Sequence, residues 1–94
     1  MNDNSLDQLR QQIDILDASL LEILAQRARL VDDIGRYKKA HQLEPLDAER
    51  WRQVLENNLE RAKALNLCPE FIASLYHLIH EYSLHLESHN ESPS

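Results

Sequence analysis

Apolar residues in the first half of the chain recur at Leu6, Leu9, Ile13, Leu16, Leu20 and Ile23, then at Leu30, Ile34 and Tyr37. Steps of three and four residues place them along one side of a helix. The spacing predicts one helix over residues 5–41, capped by Ser5, with Gly35 as its one weak interior point. At about 1.5 Å per residue such a helix is about 55 Å long. A compact chain of this size is only about 30 Å across. One chain cannot cover such a rod, so the pattern predicts an elongated, intertwined homodimer in which a second copy buries the remaining seam.

Residues 42–46 read as a connector. Pro45 ends the pattern, and Asp47 is a good N-cap for a second helix over 47–66 with Trp51, Val54, Leu55, Leu59, Ala62 and Leu65 on its apolar side. Asn66 is its expected stop. Pro69 suits the first turn of a third helix over 69–87, whose seam is Ile72, Leu75, Ile79, Tyr82 and Leu86. The polar stretch 88–94 reads as a frayed, disordered tail. The whole of 1–94 is read as one domain, with no internal repeat.

Composition narrows the class. Leu, Ala, Glu, Gln and Arg dominate, and β-branched and aromatic residues are too scattered for a sheet, which makes the fold class all-α. The formal charge of −6 argues against nucleic acid as a partner. Cys68 is the single cysteine, so no internal disulfide is expected, and beside Pro69 it reads as a small buried hydrophobe. No apolar run reaches the ~20 residues that span a bilayer. The first residues, Met-Asn-Asp-Asn-Ser, show neither a basic nor an apolar region, so the expectation is a cytoplasmic protein with no membrane partner.

The informative residues are those that break the pattern. One seven-residue series of the first helix reads Leu6, Ile13, Leu20, Arg27, Ile34, His41. Arg27 thus occupies a core position, where a guanidinium needs an anion. An ion pair with Glu22, Asp32 or another acid would satisfy it, and so would a bound anion. Lys38 stands eleven residues on, near three full turns, on almost the same face. Two cations about 16 Å apart can converge on a small anion between them. Arg10 lies on a different face about 25 Å from Arg27. It cannot reach the same pocket within one chain, but could enter a partner's; taken alone it reads as a solvated arginine.

On the second helix Arg50 sits in the first turn, where a cation opposes the helix dipole, with Asp47 three residues earlier. On the third, Tyr76, His80, Ser83 and Glu87 form a stripe beside the seam, ordinarily a wet edge, with Ser83 and Glu87 its inward members. His77, His80, His85 and His89 crowd that helix, but Leu84 stands where zinc-protease spacing needs a second histidine, so no metal is expected. No Gly-rich phosphate loop and no Ser/His/Asp or Cys/His set is present.

Taken together, the run from Leu9-Arg10 through Ile13 to Asp17, then Leu24 to Val31 around Arg27, then Ile34-Gly35-Arg36-Tyr37-Lys38-Lys39, resembles the first helix of the all-α (AroQ-type) chorismate mutases. The segment Pro45-Leu46-Asp47-Ala48-Glu49-Arg50 resembles that family's second motif, and Phe71-Ile72 through Leu78 to Ser83 its third helix. The resemblance runs from residue 5 to about residue 87. It implies an intertwined dimer of three-helix chains that converts chorismate to prephenate by a Claisen rearrangement, without cofactor or covalent intermediate, in phenylalanine and tyrosine biosynthesis. It implies that Arg10 of the partner binds one substrate carboxylate and Arg27 the other. Lys38 would contact a carboxylate and the ether oxygen, Asp47 and Arg50 the ring end near the hydroxyl, and Ser83 and Glu87 would close the site.

Two positions depart from many relatives. Trp51 stands where a glutamate often accepts from the substrate hydroxyl, and an indole donates but does not accept in that way. Either Asp47 takes over the hydroxyl or Trp51 packs in the core. Glu87 stands where glutamine is common. An ionised carboxylate would repel charge growing on the ether oxygen, whereas a protonated one could donate to it, so activity is expected to rise toward mildly acidic pH; the alternative is that Glu87 stays ionised, paired with Lys38 or turned to solvent. Trp51 keeps isochorismate–pyruvate lyase, which shares the fold, as an alternative function; retained Asp47 favours the mutase. A non-catalytic helical dimerisation module is the other alternative. It explains the seam but not the cations set into it.

Overall fold

The computed structural model describes residues 2–89, and every element among them is a helix: α1 Asn2–Ala40, α2 Ala48–Ala64 and α3 Pro69–His89. By internal packing the chain divides into Met1–Leu30 and Val31–Ser94. No described helix is long and apolar enough to cross a membrane.

The first unit is a stretch of α1 alone. Its seam residues Leu6, Leu9, Ile13, Leu16, Leu20 and Ile23 are each between 46% and 63% exposed in the single chain. A lone helix with such a face gains nothing from burial and draws its stability only from propensity and local pairs.

The second unit holds the core. α2 and α3 pack on one another. Trp51, at the start of α2, meets His77 and His80, well along α3, so the two helices run antiparallel as a hairpin. Ala62 and Ile72 are buried, and Val54, Leu55, Leu59, Leu75, Ile79 and Leu86 are partly so. Tyr82, expected in the seam, is 57% exposed. It falls three residues beyond Ile79, off the side of α3 on which Ile79 and Leu86 are partly buried.

Both helix exits use a left-handed residue. Gln42 has φ 57° and Asn66 φ 61°. After α2, Leu67 N–H donates to Ala62 O at 2.8 Å and Asn66 N–H to Lys63 O at 3.2 Å; after α1, Leu43 N–H donates to Lys38 O at 2.7 Å and Gln42 N–H to Lys39 O at 3.2 Å. These paired bonds are the Schellman closure, which satisfies the last carbonyls of each helix. Asp47 caps α2 from an extended conformation, its side chain accepting from Arg50 N–H.

Several boundaries differ from the sequence expectation. α1 begins at Asn2, not Ser5, because no breaker interrupts residues 2–5. α2 is Ala48–Ala64, with Asp47 and Leu65 as caps rather than helical residues. α3 runs to His89, so Ser88 and His89 continue the helix instead of beginning a tail, while residues 90–94 lie outside the described ones. Cys68 is exposed, not buried. Immediately before Pro69, its carbonyl accepts from Ile72 N–H at 3.1 Å, and its thiol lies 3.6 Å from Glu70 Oε1. A residue needed for this cap must sit at the helix mouth, where solvent reaches it.

The last turns of α1 belong to the second unit and bring one buried charge with them. Val31 and Gly35 are buried and Lys38 partly so, and at i, i+4 and i+7 they share a face. Lys38 Nζ lies 2.7 Å from Glu87 Oε1 of α3, with side chains 19% and 10% exposed. The same ammonium donates to Pro45 O at 2.5 Å.

Removing one member of such a pair leaves a buried charge alone, so Lys38→Met should cost on the order of 3 kcal/mol in chemical unfolding. The double variant Lys38→Met/Glu87→Leu should regain most of that loss. Strictly additive losses would show that the two side chains are not coupled.

Candidate active site

The polar stripe of α3 is the wall around which the candidate residues gather. Ser83 and Glu87, one turn apart, are each 8% exposed, and Tyr76 and His80 are partly buried. Ser83 and Glu87, expected as the inward members of the stripe, are thus its buried ones, with Tyr76 and His80 at its partly covered margin. Burial of two polar side chains in a small core requires partners or a purpose. Glu87 has Lys38. Among the described residues Glu87 Oε1 is paired with that ammonium at 2.7 Å but has no hydrogen bond of regular geometry. An oxygen with ionic compensation but unfilled hydrogen-bonding capacity is suited to a polar ligand.

Lys38 is held from three sides. Its carbonyl closes the end of α1, and its ammonium donates to Pro45 O and meets Glu87. The connector 41–45 is thereby folded back on this one residue. Two residues after Pro45 comes Asp47, whose Oδ1 accepts the Arg50 N–H at 3.0 Å. Asp47 and Arg50 are both exposed. The structure thus brings Lys38 and Glu87 together with Ser83 on the same wall, and joins Asp47 to Arg50 through the cap.

Arg10 and Arg27 lie in the other unit. Arg10 is exposed and Arg27 partly buried, and the seventeen residues of helix between them amount to about 25 Å of rise. They do not meet within the chain. Nearby surface charge is organised differently: Arg52 lies between Glu49 and Glu56. Its basicity is raised first by the hydrogen bond to Glu49 and then by the charge of Glu56. That triad is fully exposed and belongs to the helix surface.

Two features were missed in the sequence. Gly35, read as a weak interior point, is buried one turn before Lys38. Trp51 is stacked on His80, with centroids 4.0 Å apart and planes at 14°, and meets His77 edge-on at 5.2 Å and 67°. Trp51 is partly buried in this contact. Among the described residues no three His, Cys, Asp or Glu side chains form a group that could hold a metal.

Comparison with known proteins adds a lineage to this geometry. The chain is 38% identical over 82 residues to a bifunctional chorismate mutase/prephenate dehydratase of Enterobacter agglomerans, covering 87% of this chain and 21% of that protein. It is 35% identical over 83 residues to the protein of the same description from Escherichia coli (strain K12), covering 88% and 22%. It is 34% identical over 82 residues to a 4-amino-4-deoxychorismate mutase of Streptomyces pristinaespiralis, covering 87% and 64%. The chain spans about a fifth of the length of the two bifunctional relatives. Residues 9–88 match the chorismate mutase type II family along nearly all of the three helices, and this chain belongs to that family.

Proposed function

We propose that this chain is a chorismate mutase, rearranging chorismate to prephenate, with a second copy completing each site. The observation that carries the reading is the half-buried ammonium of Lys38 beside the unfilled carboxylate oxygen of Glu87, on residues that fall inside the family match. A unimolecular Claisen rearrangement needs no nucleophile. It needs the enolpyruvyl arm held over the ring, which removes rotational freedom before the barrier. It also needs a preplaced donor where charge grows as the carbon–oxygen bond breaks. Lys38 supplies that donor at the ether oxygen. Arg27 and the partner's Arg10 take the two carboxylates, Asp47 and Arg50 the ring end, and Ser83 closes the wall.

Glu87 plays two parts in this reading. Without substrate it is the counter-ion of Lys38. A bound dianion brings a second negative group to the same ammonium, and two anions there repel. A proton on Glu87 removes the repulsion and makes it a second donor to the ether oxygen.

Product identification is the direct test: purified protein given chorismate yields prephenate, and given isochorismate yields little salicylate or pyruvate. The reverse outcome makes the protein an isochorismate–pyruvate lyase, and no product from either leaves a helical dimerisation module. For Glu87, kcat/KM on chorismate should rise toward mildly acidic pH in the parent and lose that dependence in Glu87→Gln. An equally steep dependence in the variant would remove the proton from the mechanism. For the partner's Arg10, Arg10→Ala and Arg27→Ala should each be nearly inactive, while co-refolded mixtures regain about a quarter of parental activity through one intact site per mixed dimer. No recovery on mixing would place Arg10 outside the partner's site.

A further inference from the structure

We propose that Trp51 is a positioning residue for the ring end of the site, acting through His80. Its structural part stands on the geometry alone, and its catalytic consequence rests on the functional reading above. Ala48, Glu49 and Arg50, which open α2, are all exposed, as is the capping Asp47; Trp51 is the first residue of the helix that is not. Upstream, the turn is tied down through Pro45, whose carbonyl accepts from Lys38; within α2 this indole is the first side chain that anchors it to the core. Asp47 secures the turn to itself, by its cap to Arg50 N–H and by its carbonyl to Trp51 N–H at 2.9 Å. Neither bond ties the turn to another helix.

The anchor is specific in form. The indole lies flat on the His80 imidazole and receives His77 at its edge. His80 precedes Ser83 by one turn and Glu87 by two, on one side of α3. The stack therefore sets the register between the turn bearing Asp47 and Arg50 and the stripe bearing Ser83 and Glu87. Lys38 holds the far end of that stripe through Glu87. An aliphatic side chain would fill the volume but would not fix the angle, because the orientation preference of stacked rings would be lost. Trp51 thus contributes here by location, without being an acceptor for the substrate.

The test compares Trp51→Leu and His80→Leu with Trp51→Phe, which keeps a flat ring, at a temperature where circular dichroism shows all of them folded. Hydrogen exchange at the Arg50 and Trp51 amides should accelerate about tenfold in both leucine variants, while amides around Leu59 to Ala62 stay unchanged. Trp51→Phe should remain within about threefold of the parent on the same amides. Asp47 and Arg50 would hold the ring equally in the ground and transition states, so KM for chorismate should rise about tenfold in the leucine variants, with kcat within about threefold and recovery in Trp51→Phe. Unchanged exchange, or faster exchange with unchanged KM, overturns the proposal and leaves the indole as packing. If the parent does not turn over chorismate, the functional reading fails and the exchange measurement alone decides whether the anchor exists.

Discussion

A lysine and a glutamate drawn almost out of water, 2.7 Å apart, impose more on this small chain than its hydrophobic core does. Burying either alone would cost several kcal/mol, so the end of α1 and the end of α3 must arrive together. Gly35 is buried one turn before Lys38. The approach explains the shape of the connector. With Lys38 accepting from Leu43 N–H and donating to Pro45 O, the chain is bent back on the residue that the ion pair fixes, which delivers Asp47 to cap α2. One pair therefore relates all three elements of the second unit. Such a pair is a poor source of net stability compared with apolar side chains of the same volume. Its presence in a chain with so little core to spare is better accounted for by the chemistry proposed for it.

The helices were legible because apolar spacing is a direct record of which face is covered. Pro45, Asp47, Asn66 and Pro69 punctuate the chain where local chemistry requires it. The first helix was read from its seam even though that seam is open in the single chain, since periodicity records the face that is meant to be covered. The failures lie at ends and at single residues. Whether α1 starts at Asn2 or Ser5 turns on hydrogen bonds that cost little either way. Cys68 was read from the usual burial of cysteine, but its place before Pro69 puts it at a helix mouth. Nothing in the composition announces that Gln42 takes a left-handed conformation, because glutamine has no special liking for it; the demand comes from the Schellman closure after α1.

The site was legible in a different way, through residues that do not belong where they are. A cation in a seam, a cation in a first turn and a carboxylate on a helix edge each violate a local preference, and functional groups are where such violations collect. That reasoning singled out Arg27, with Lys38 on nearly the same face, and Arg50 as candidates; Glu87 came from the stripe on the third helix and from the family resemblance. It could not find the Trp51–His80 stack, because each residue is ordinary on its own helix and the pairing depends on how two helices pack. In the stripe of Tyr76, His80, Ser83 and Glu87 it took Ser83 and Glu87 as the inward members, and those two are buried, while Tyr76 and His80 are partly so. Amphipathic patterns separate apolar from polar, not inside from outside, and a buried polar wall looks like a surface until its neighbours are in place.

Burial is uneven across the residues gathered here, and that unevenness bears on the mechanism. Lys38, Ser83 and Glu87 are largely withdrawn from solvent, whereas Asp47 and Arg50 remain exposed. A unit charge interacts several times more strongly at low effective dielectric than in water. In a Claisen rearrangement the ether oxygen gains charge while the ring hydroxyl changes little. Under the proposed function, placing the drier, well-fixed cation at the ether oxygen and leaving the hydroxyl to wetter groups would concentrate stabilisation on the transition state, not on the substrate. The wetter end then needs only to be held in place, which is the work a stacked indole can do. The division of burial along α3 and the first turn of α2 thus fits a catalyst whose selectivity and rate are set at opposite ends of one polar wall.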